Sequence, residues 1–242
     1  MIQRFLNKTI TIPLMSKISV LEYMARKSHD GVTPRKSDHE MHNRGLYDNP
    51  SYEHANVGYK SALQFDFEGY VKAAAKKPLI VADIGCGMAR FLYDLKCTDG
   101  LIEVFGIDHF LYESYIDPSH FMVGEVPNED HMTDFLDRLP EAVFDMITST
   151  NCLEPLNAEI SLAQVRQINR ITSREGFARI QIPDSFWNEE IYHASLKEGV
   201  RMTQMKVEHL GPQYHESCRV ITIMGENWKH PTYCESTRTV FS

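Results

Sequence analysis

The stretch Leu79-Ile80-Val81-Ala82-Asp83-Ile84-Gly85-Cys86-Gly87-Met88-Ala89-Arg90-Phe91-Leu92 constrains the fold of this chain more than any other. Its apolar first half reads as a strand. Gly85-Cys86-Gly87 breaks that strand, and the residues beyond it read as a helix. A strand that ends in a glycine turn at a helix N-terminus makes a ligand site: glycine lets a ligand approach the backbone, and the first helical N–H groups have no partners. Asp83 then selects among ligands, because a carboxylate at the strand tip repels a pyrophosphate and holds an ammonium group. The dinucleotide fingerprint G-x-G-x-x-G is incomplete, since Arg90 stands where its third glycine belongs. The chemistry favours a cationic, amino-acid-bearing cofactor over a dinucleotide.

With those residues in view, Val81 to Leu92 resembles motif I of the class I S-adenosylmethionine-dependent methyltransferases, and the resemblance extends over Pro78 to Met224 in ordered segments. Glu103-Val104-Phe105-Gly106-Ile107-Asp108 is similar to the family's second strand, which ends in an acidic residue. A carboxylate there accepts both ribose hydroxyls, and Asp108 follows Gly85 by 23 positions, near the spacing of about 20 between glycine turn and ribose acid. Phe121-Met122-Val123-Gly124-Glu125-Val126 resembles the third strand, whose acidic residue stands near the adenine amino group. Phe144 to Glu154 resembles the fourth strand and the turn that faces cofactor and acceptor. Small-molecule members often carry Leu-Glu-His at that turn; here it reads Leu153-Glu154-Pro155, so no histidine acts there. The resemblance implies cofactor binding by Tyr59, Asp83, Gly85, Cys86, Gly87, Asp108, His109, Phe110, Glu125, Val126 and Ser149.

Further along, Leu162, Val165, Ile168 and Ile171 recur at three-residue steps, as one buried helix face requires. Gly176 leads into Phe177-Ala178-Arg179-Ile180-Gln181-Ile182-Pro183, a fifth strand; the family usually has Pro-Gly-Gly before it, and this chain has Arg174-Glu175-Gly176. Met205 to Leu210 and Cys218 to Met224 are expected to form the antiparallel pair that closes such sheets. The expected fold is α/β: a Rossmann-like, seven-stranded, mostly parallel sheet with helices on both faces and an N-terminal cap. Residues 1–77 are read as the cap and 78–242 as the cofactor-binding core.

Within the cap, Ile18 to Arg26 is expected to form a helix burying Val20, Leu21 and Met24. His29 to Pro50 is rich in turn formers and charge and reads as a long loop. Ser61 to Ala75 reads as a second helix. Tyr47, Tyr52 and Tyr59 are spaced through the intervening segment, which resembles the tyrosine-bearing entry segment of several methyltransferases. Caps of this kind close over cofactor and acceptor and exclude water from the transfer.

A chain of 242 residues buries a sizeable core as one α/β domain with an appended cap. Its net charge of −8, with 33 acidic against 25 basic residues, disfavours a nucleic-acid acceptor, because phosphate binding draws on a positive surface. Cysteines at 86, 97, 152, 218 and 234 show no C-x-x-C spacing. They are read as reduced thiols of a cytoplasmic protein. No stretch has the roughly 18 to 20 apolar residues of a membrane span. Asp38-His39-Glu40-Met41-His42 is the closest grouping of metal-ligand types, but it lacks a third or fourth ligand in place, so no metal is expected.

Acceptor pockets of this fold lie beyond the fourth and fifth strands and in the late hairpin. Glu154, Asp184, His193, His209 and His215 are the candidate bases there, with Glu154, His209 and His215 foremost. The expected activity is methyl transfer from S-adenosylmethionine to an oxygen, nitrogen or carbon of a small molecule. A non-catalytic scaffold or regulatory protein that keeps the cofactor pocket, and a methyltransferase acting on protein, are the alternatives. A nicotinamide-dependent oxidoreductase is disfavoured by Arg90.

Overall fold

The computed structural model describes residues 13–33, 55–74, 77–98, 101–108, 111, 114–124, 131–150, 161–207 and 217–229. Its strands are β1 (Leu79–Ile84), β2 (Ile102–Asp108), β3 (Phe121–Val123), β4 (Phe144–Thr150), β5 (Thr172–Pro183), β6 (Met202–Val207) and β7 (Cys218–Met224). They form one sheet in the order β3-β2-β1-β4-β5-β7-β6. The pairings from β3 through β5 are parallel, and β7 runs antiparallel to both β5 and β6. The expected seven-stranded, mostly parallel sheet is present. The closing pair differs only in its first strand, which begins at Met202 and ends at Val207.

The helices are α1 (Leu14–Ser28), α2 (Ala55–Leu63), α3 (Phe67–Ala74), α4 (Arg90–Thr98), α5 (His131–Arg138), α6 (Leu162–Ile171) and α7 (Glu189–Lys197). They cover both faces. On one, Leu21 and Ala25 of α1, Leu136 of α5 and Val165, Ile168 and Ile171 of α6 pack on Ile80, Phe105, Ile147 and Ile180. On the other, Tyr59 and Leu63 of α2, Phe67 and Val71 of α3 and Phe91, Leu92 and Leu95 of α4 pack on Val81, Val104, Met146 and Phe177. Alternate residues of each strand thus feed opposite cores, as a doubly covered sheet demands.

Local chemistry explains the boundaries. Ser161 and Gln164 form a reciprocal capping box at the start of α6, with Gln164 N–H donating to Ser161 Oγ and Ser161 N–H to Gln164 Oε1. The single helix expected over 61–75 is instead two, because Gln64 turns left-handed at φ 51°. The Phe65 N–H then reaches the Lys60 carbonyl, closing α2. In α1 the inward face is Leu14, Ile18, Leu21 and Ala25, with Met24 packed beside them, whereas Val20 is 42% exposed. A spacing of three to four residues selects that face, and Val20 falls off it.

Helix α6 passes directly into β5, so Arg174-Glu175-Gly176 lies inside the strand and not before it. The register skips from Phe144–Thr172 to Met146–Phe177, bulging that segment. A side chain on Gly176 would sit 2.7 Å from the Asp145 carbonyl oxygen, so close backbone approach fixes glycine there. At the opposite edge, α1 seals β3: the Val123 N–H donates to Ser28 Oγ, and His29 Nε2 donates to the Phe121 carbonyl.

Candidate functional site

The sequence order brings β1 and β4 side by side, with β2 beyond β1 and β5 beyond β4. Connections therefore diverge to either side of the β1–β4 pair, and open sheets of this kind bind ligands at the carboxyl ends of the strands at that point. Gly85 and Gly87 lie there at φ 76° and 54°, in the left-handed region that favours glycine. Ala89 shares that region at φ 59° without being glycine, which costs about 1 kcal/mol. The turn is pinned from β2: the N–H groups of Gly85 and Cys86 donate to the Ile107 carbonyl, and the Gly87 N–H donates to Asp108 Oδ2 at 2.8 Å. Among the described residues, nothing lies within 4 Å of where a side chain on Gly87 would point.

Asp83 is completely buried one residue before the end of β1. Tyr59 of α2 donates its hydroxyl to Oδ2 at 2.5 Å, and Thr148 of β4 donates to Oδ1 at 2.6 Å. The Tyr59 ring stacks on Phe91 of α4 with centroids 3.7 Å apart and planes 2° from parallel, so both ends of this side chain are fixed. Burial pushes the Asp83 carboxyl up to about 7, against the lowering by its two hydroxyl partners and with a further rise from the charge of Asp108. A carboxyl at that value exchanges its proton near neutral pH, a feature concentrated at functional sites.

Asp83, Thr148, Arg179 and Thr222 are register partners across β1, β4, β5 and β7. They form one buried polar row on the face that α2 covers. The Arg179 guanidinium donates to the carbonyls of Leu63 and Gln64 and to Thr222 Oγ1, and it lies over the Phe65 ring at 5.3 Å. It thereby ties the C-terminal end of α2 to β5. Thr148, Arg179 and Phe91 were absent from the residues read as functional. Arg179 did carry a signal: a cation amid Phe177-Ala178 and Ile180 in a doubly buried strand requires dedicated partners.

The remaining expected residues divide by location. Cys86 is buried in the turn, with its sulfur 2.7 Å from where a Gly106 side chain would begin. Ser149 is buried on the opposite face from Asp83, and its hydroxyl has no partner among the described residues. His109, Phe110, Glu125, Val126, Glu154, His209 and His215 lie outside the described residues, as do Tyr47, Tyr52 and the Asp38–His42 grouping. Asp184 is no free base. Burial alone would raise its carboxyl, but hydrogen bonds from Ser217 and Arg219 and the charges of Arg219 and Lys206 outweigh that and hold it below the ordinary value. His193 is exposed on α7. Cys86, Cys97 and Cys218 are in no disulfide, and among the described residues no helix is long and apolar enough to cross a membrane.

The sheet order defines a doubly wound α/β protein whose connections diverge at the β1–β4 switch point. More particularly, the chain has the class I S-adenosylmethionine-dependent methyltransferase fold. It superimposes on the plantazolicin methyltransferase BpumL, solved in complex with SAH, with a TM-score of 0.50 at 12% identity over 88% of this chain and 99% of that one. The 1,6-didemethyltoxoflavin-N1-methyltransferase of Burkholderia thailandensis aligns with a TM-score of 0.43 at 12% identity, covering 90% of this chain and 92% of its own. A 16S rRNA (adenine(1408)-N(1))-methyltransferase from Catenulisporales acidiphilia aligns with a TM-score of 0.42 at 14% identity, covering 68% and 95% respectively. No protein-family model and no curated protein matches the sequence.

Proposed function

We propose that this protein is an S-adenosylmethionine-dependent methyltransferase acting on an oxygen, nitrogen or carbon of a small molecule. The observation that carries the reading is the pairing of two carboxyls around one glycine turn: Asp83, buried under Tyr59 and Thr148, and Asp108, holding the Gly87 N–H. The donor set fits the cofactor. Asp83 supplies a negative charge for its ammonium group, the Asp108 carboxylate stands at the end of β2 as the acceptor for the ribose hydroxyls, and no described residue blocks the approach of a ligand to the backbone at Gly87.

When bound, the cofactor supplies a methyl group activated by a sulfonium centre. The chain's own work is binding, alignment and exclusion of water. Tyr59 and Thr148 orient the Asp83 carboxyl, Phe91 holds Tyr59, and Arg179 holds the helix that carries Tyr59. Residues 1–77, in this reading, form the cap, with α2 its inner layer. Glu154, His209 and His215 stay the candidate bases, and Asp184 leaves that set because its carboxyl is committed to Arg219 and Ser217. A small acceptor suits the net charge of −8, which repels a polyphosphate chain. A cytoplasmic location accords with cysteines 86, 97 and 218 standing outside any disulfide.

Calorimetric titration with S-adenosylmethionine, S-adenosylhomocysteine and NADH tests the reading. Micromolar binding of the sulfur compounds without NADH binding is expected, followed by transfer of labelled methyl to an acceptor. Binding without any transfer would favour a scaffold or regulatory role, and no binding would overturn the proposal.

A further inference from the structure

Gln181 carries a buried amide whose Oε1 and Nε2 both lack a hydrogen-bond partner among the described residues. Its exposure is 1%. It sits near the carboxyl end of β5, in register with Thr150 of β4 and Val220 of β7. Two residues beyond Arg179, it falls on the same face as the polar row of Asp83, Thr148 and Arg179, one step closer to the strand ends. A primary amide brings two N–H donors and two acceptor lone pairs, and burial without partners is unfavourable for each. A position that needed only volume would hold leucine or methionine at lower free energy. Arg179, by contrast, has its donors taken by Leu63, Gln64 and Thr222.

The place of Gln181 indicates what it meets. Asp83, Gly87 and Asp108 gather over β1 and β2, whereas Gln181 stands two strands from β1 on the far side of β4, about 10 Å away at about 4.8 Å per strand. A molecule held over β4 and β5 therefore lies beside one held over β1 and β2.

The geometry points to Gln181 as a specificity-determining residue for the methyl acceptor, one that reads a planar group offering a hydrogen-bond donor beside an acceptor, as a carboxamide or lactam does. This inference rests on the methyltransferase reading above. The amide of Gln181 presents the complementary pair, so the two edges close a double hydrogen bond in a site from which water is excluded. A site built to satisfy a buried amide rejects analogues that lack the matching donor.

Three measurements on the full chain test it. Wild type and Gln181→Met are first titrated with S-adenosylhomocysteine; equal affinity is expected, and a tenfold or greater change would move Gln181 to the cofactor and overturn the assignment. Failure of wild type to bind would overturn the methyltransferase reading itself. Thermal unfolding without ligand comes second. Gln181→Met should raise the midpoint by roughly 2–6 °C, because it removes an unpaired amide; an unchanged or lower midpoint would mean that water or protein already satisfies it, and the proposal fails. Third, saturation-transfer NMR on the protein loaded with S-adenosylhomocysteine compares benzamide with acetophenone, which carries a methyl in place of the amide nitrogen. Benzamide should bind wild type roughly tenfold more tightly or better, and Gln181→Met should lose the preference. Equal binding of the two by wild type, or no binding of benzamide, overturns it.

Discussion

The Tyr59 hydroxyl lies 2.5 Å from Asp83 Oδ2, so a helix from the N-terminal third of the chain touches the carboxyl near the tip of β1. The Tyr59 hydrogen bond lowers the carboxyl's proton affinity, and burial raises it. Replacing Tyr59 by phenylalanine keeps the ring stacked on Phe91 and removes only that hydroxyl. Asp83 should then titrate higher still. Cofactor affinity should fall roughly five- to tenfold at pH 7, about the worth of one buried hydrogen bond, and recover by pH 8.5, where Asp83 ionises in either case. Titrations at the two pH values check this, and a loss that persists at pH 8.5 would refute it.

Asp83 also links stability to pH. Its carboxyl lies at about 7 in the folded chain against 3.8 ordinarily, so the native state binds the extra proton between those values. The protonated group's contribution is fully present below pH 3.8, and it is lost as pH rises through about 7. Asp83→Asn has no such proton to lose. Relative to wild type, the variant should therefore gain stability progressively from pH 5 to pH 8, and paired urea titrations would read the difference directly.

Binding a cation beside Asp83 should expel that proton. At pH 7 about half a proton per site should be released on S-adenosylhomocysteine binding. The observed calorimetric enthalpy should accordingly differ between phosphate and Tris buffers and converge at pH 9. Identical enthalpies in both buffers at pH 7 would show that Asp83 does not meet the ammonium group.

Asp108 has a structural partner in the Gly87 N–H as well as its proposed ribose role. Asp108→Ala should lower affinity for S-adenosylhomocysteine at least about 100-fold while lowering stability by only about 1–2 kcal/mol, the worth of a charge-assisted hydrogen bond. Near-normal affinity in the folded variant would sink the cofactor assignment.

Arg179→Met removes the clamp on the last turn of α2 and leaves the carbonyls of Leu63 and Gln64 and the Thr222 hydroxyl without it. A loss of about 2–4 kcal/mol is expected. Hydrogen exchange across residues 55–66 should quicken more than across β1. Uniform quickening would place the effect in the whole sheet and not in the helix.

The sheet was legible because strand chemistry is local. Apolar runs of six or seven residues bounded by turn formers, with acids at the ends of β1 and β2, specify order and direction. The missed features depend on pairing across the sheet. Thr148 meets Asp83 because β4 lies next to β1 at that register, and no sequence spacing encodes that 65-residue separation. The break at Gln64 was hidden because glutamine is an ordinary helix former, and its left-handed φ is imposed by Phe65 and Phe67 packing inward. Asp184 looked like a free carboxylate because Ser217 and Arg219 reach it from a strand 33 and 35 residues away.

The Arg179 clamp also bears on synthesis at the ribosome. The carbonyl it holds belongs to Leu63, made 116 residues earlier, so a nascent chain that has not yet delivered β5 has no fastener for the helix bearing Tyr59. Asp83 emerges soon after that helix yet must wait for most of the sheet before its hydroxyl partners are locked in place. A stalled or truncated product ending before residue 172 would thus carry the glycine turn, Tyr59 and Thr148 without the clamp on α2, and cellular quality control would meet it as β4 with an unpaired edge where β5 belongs.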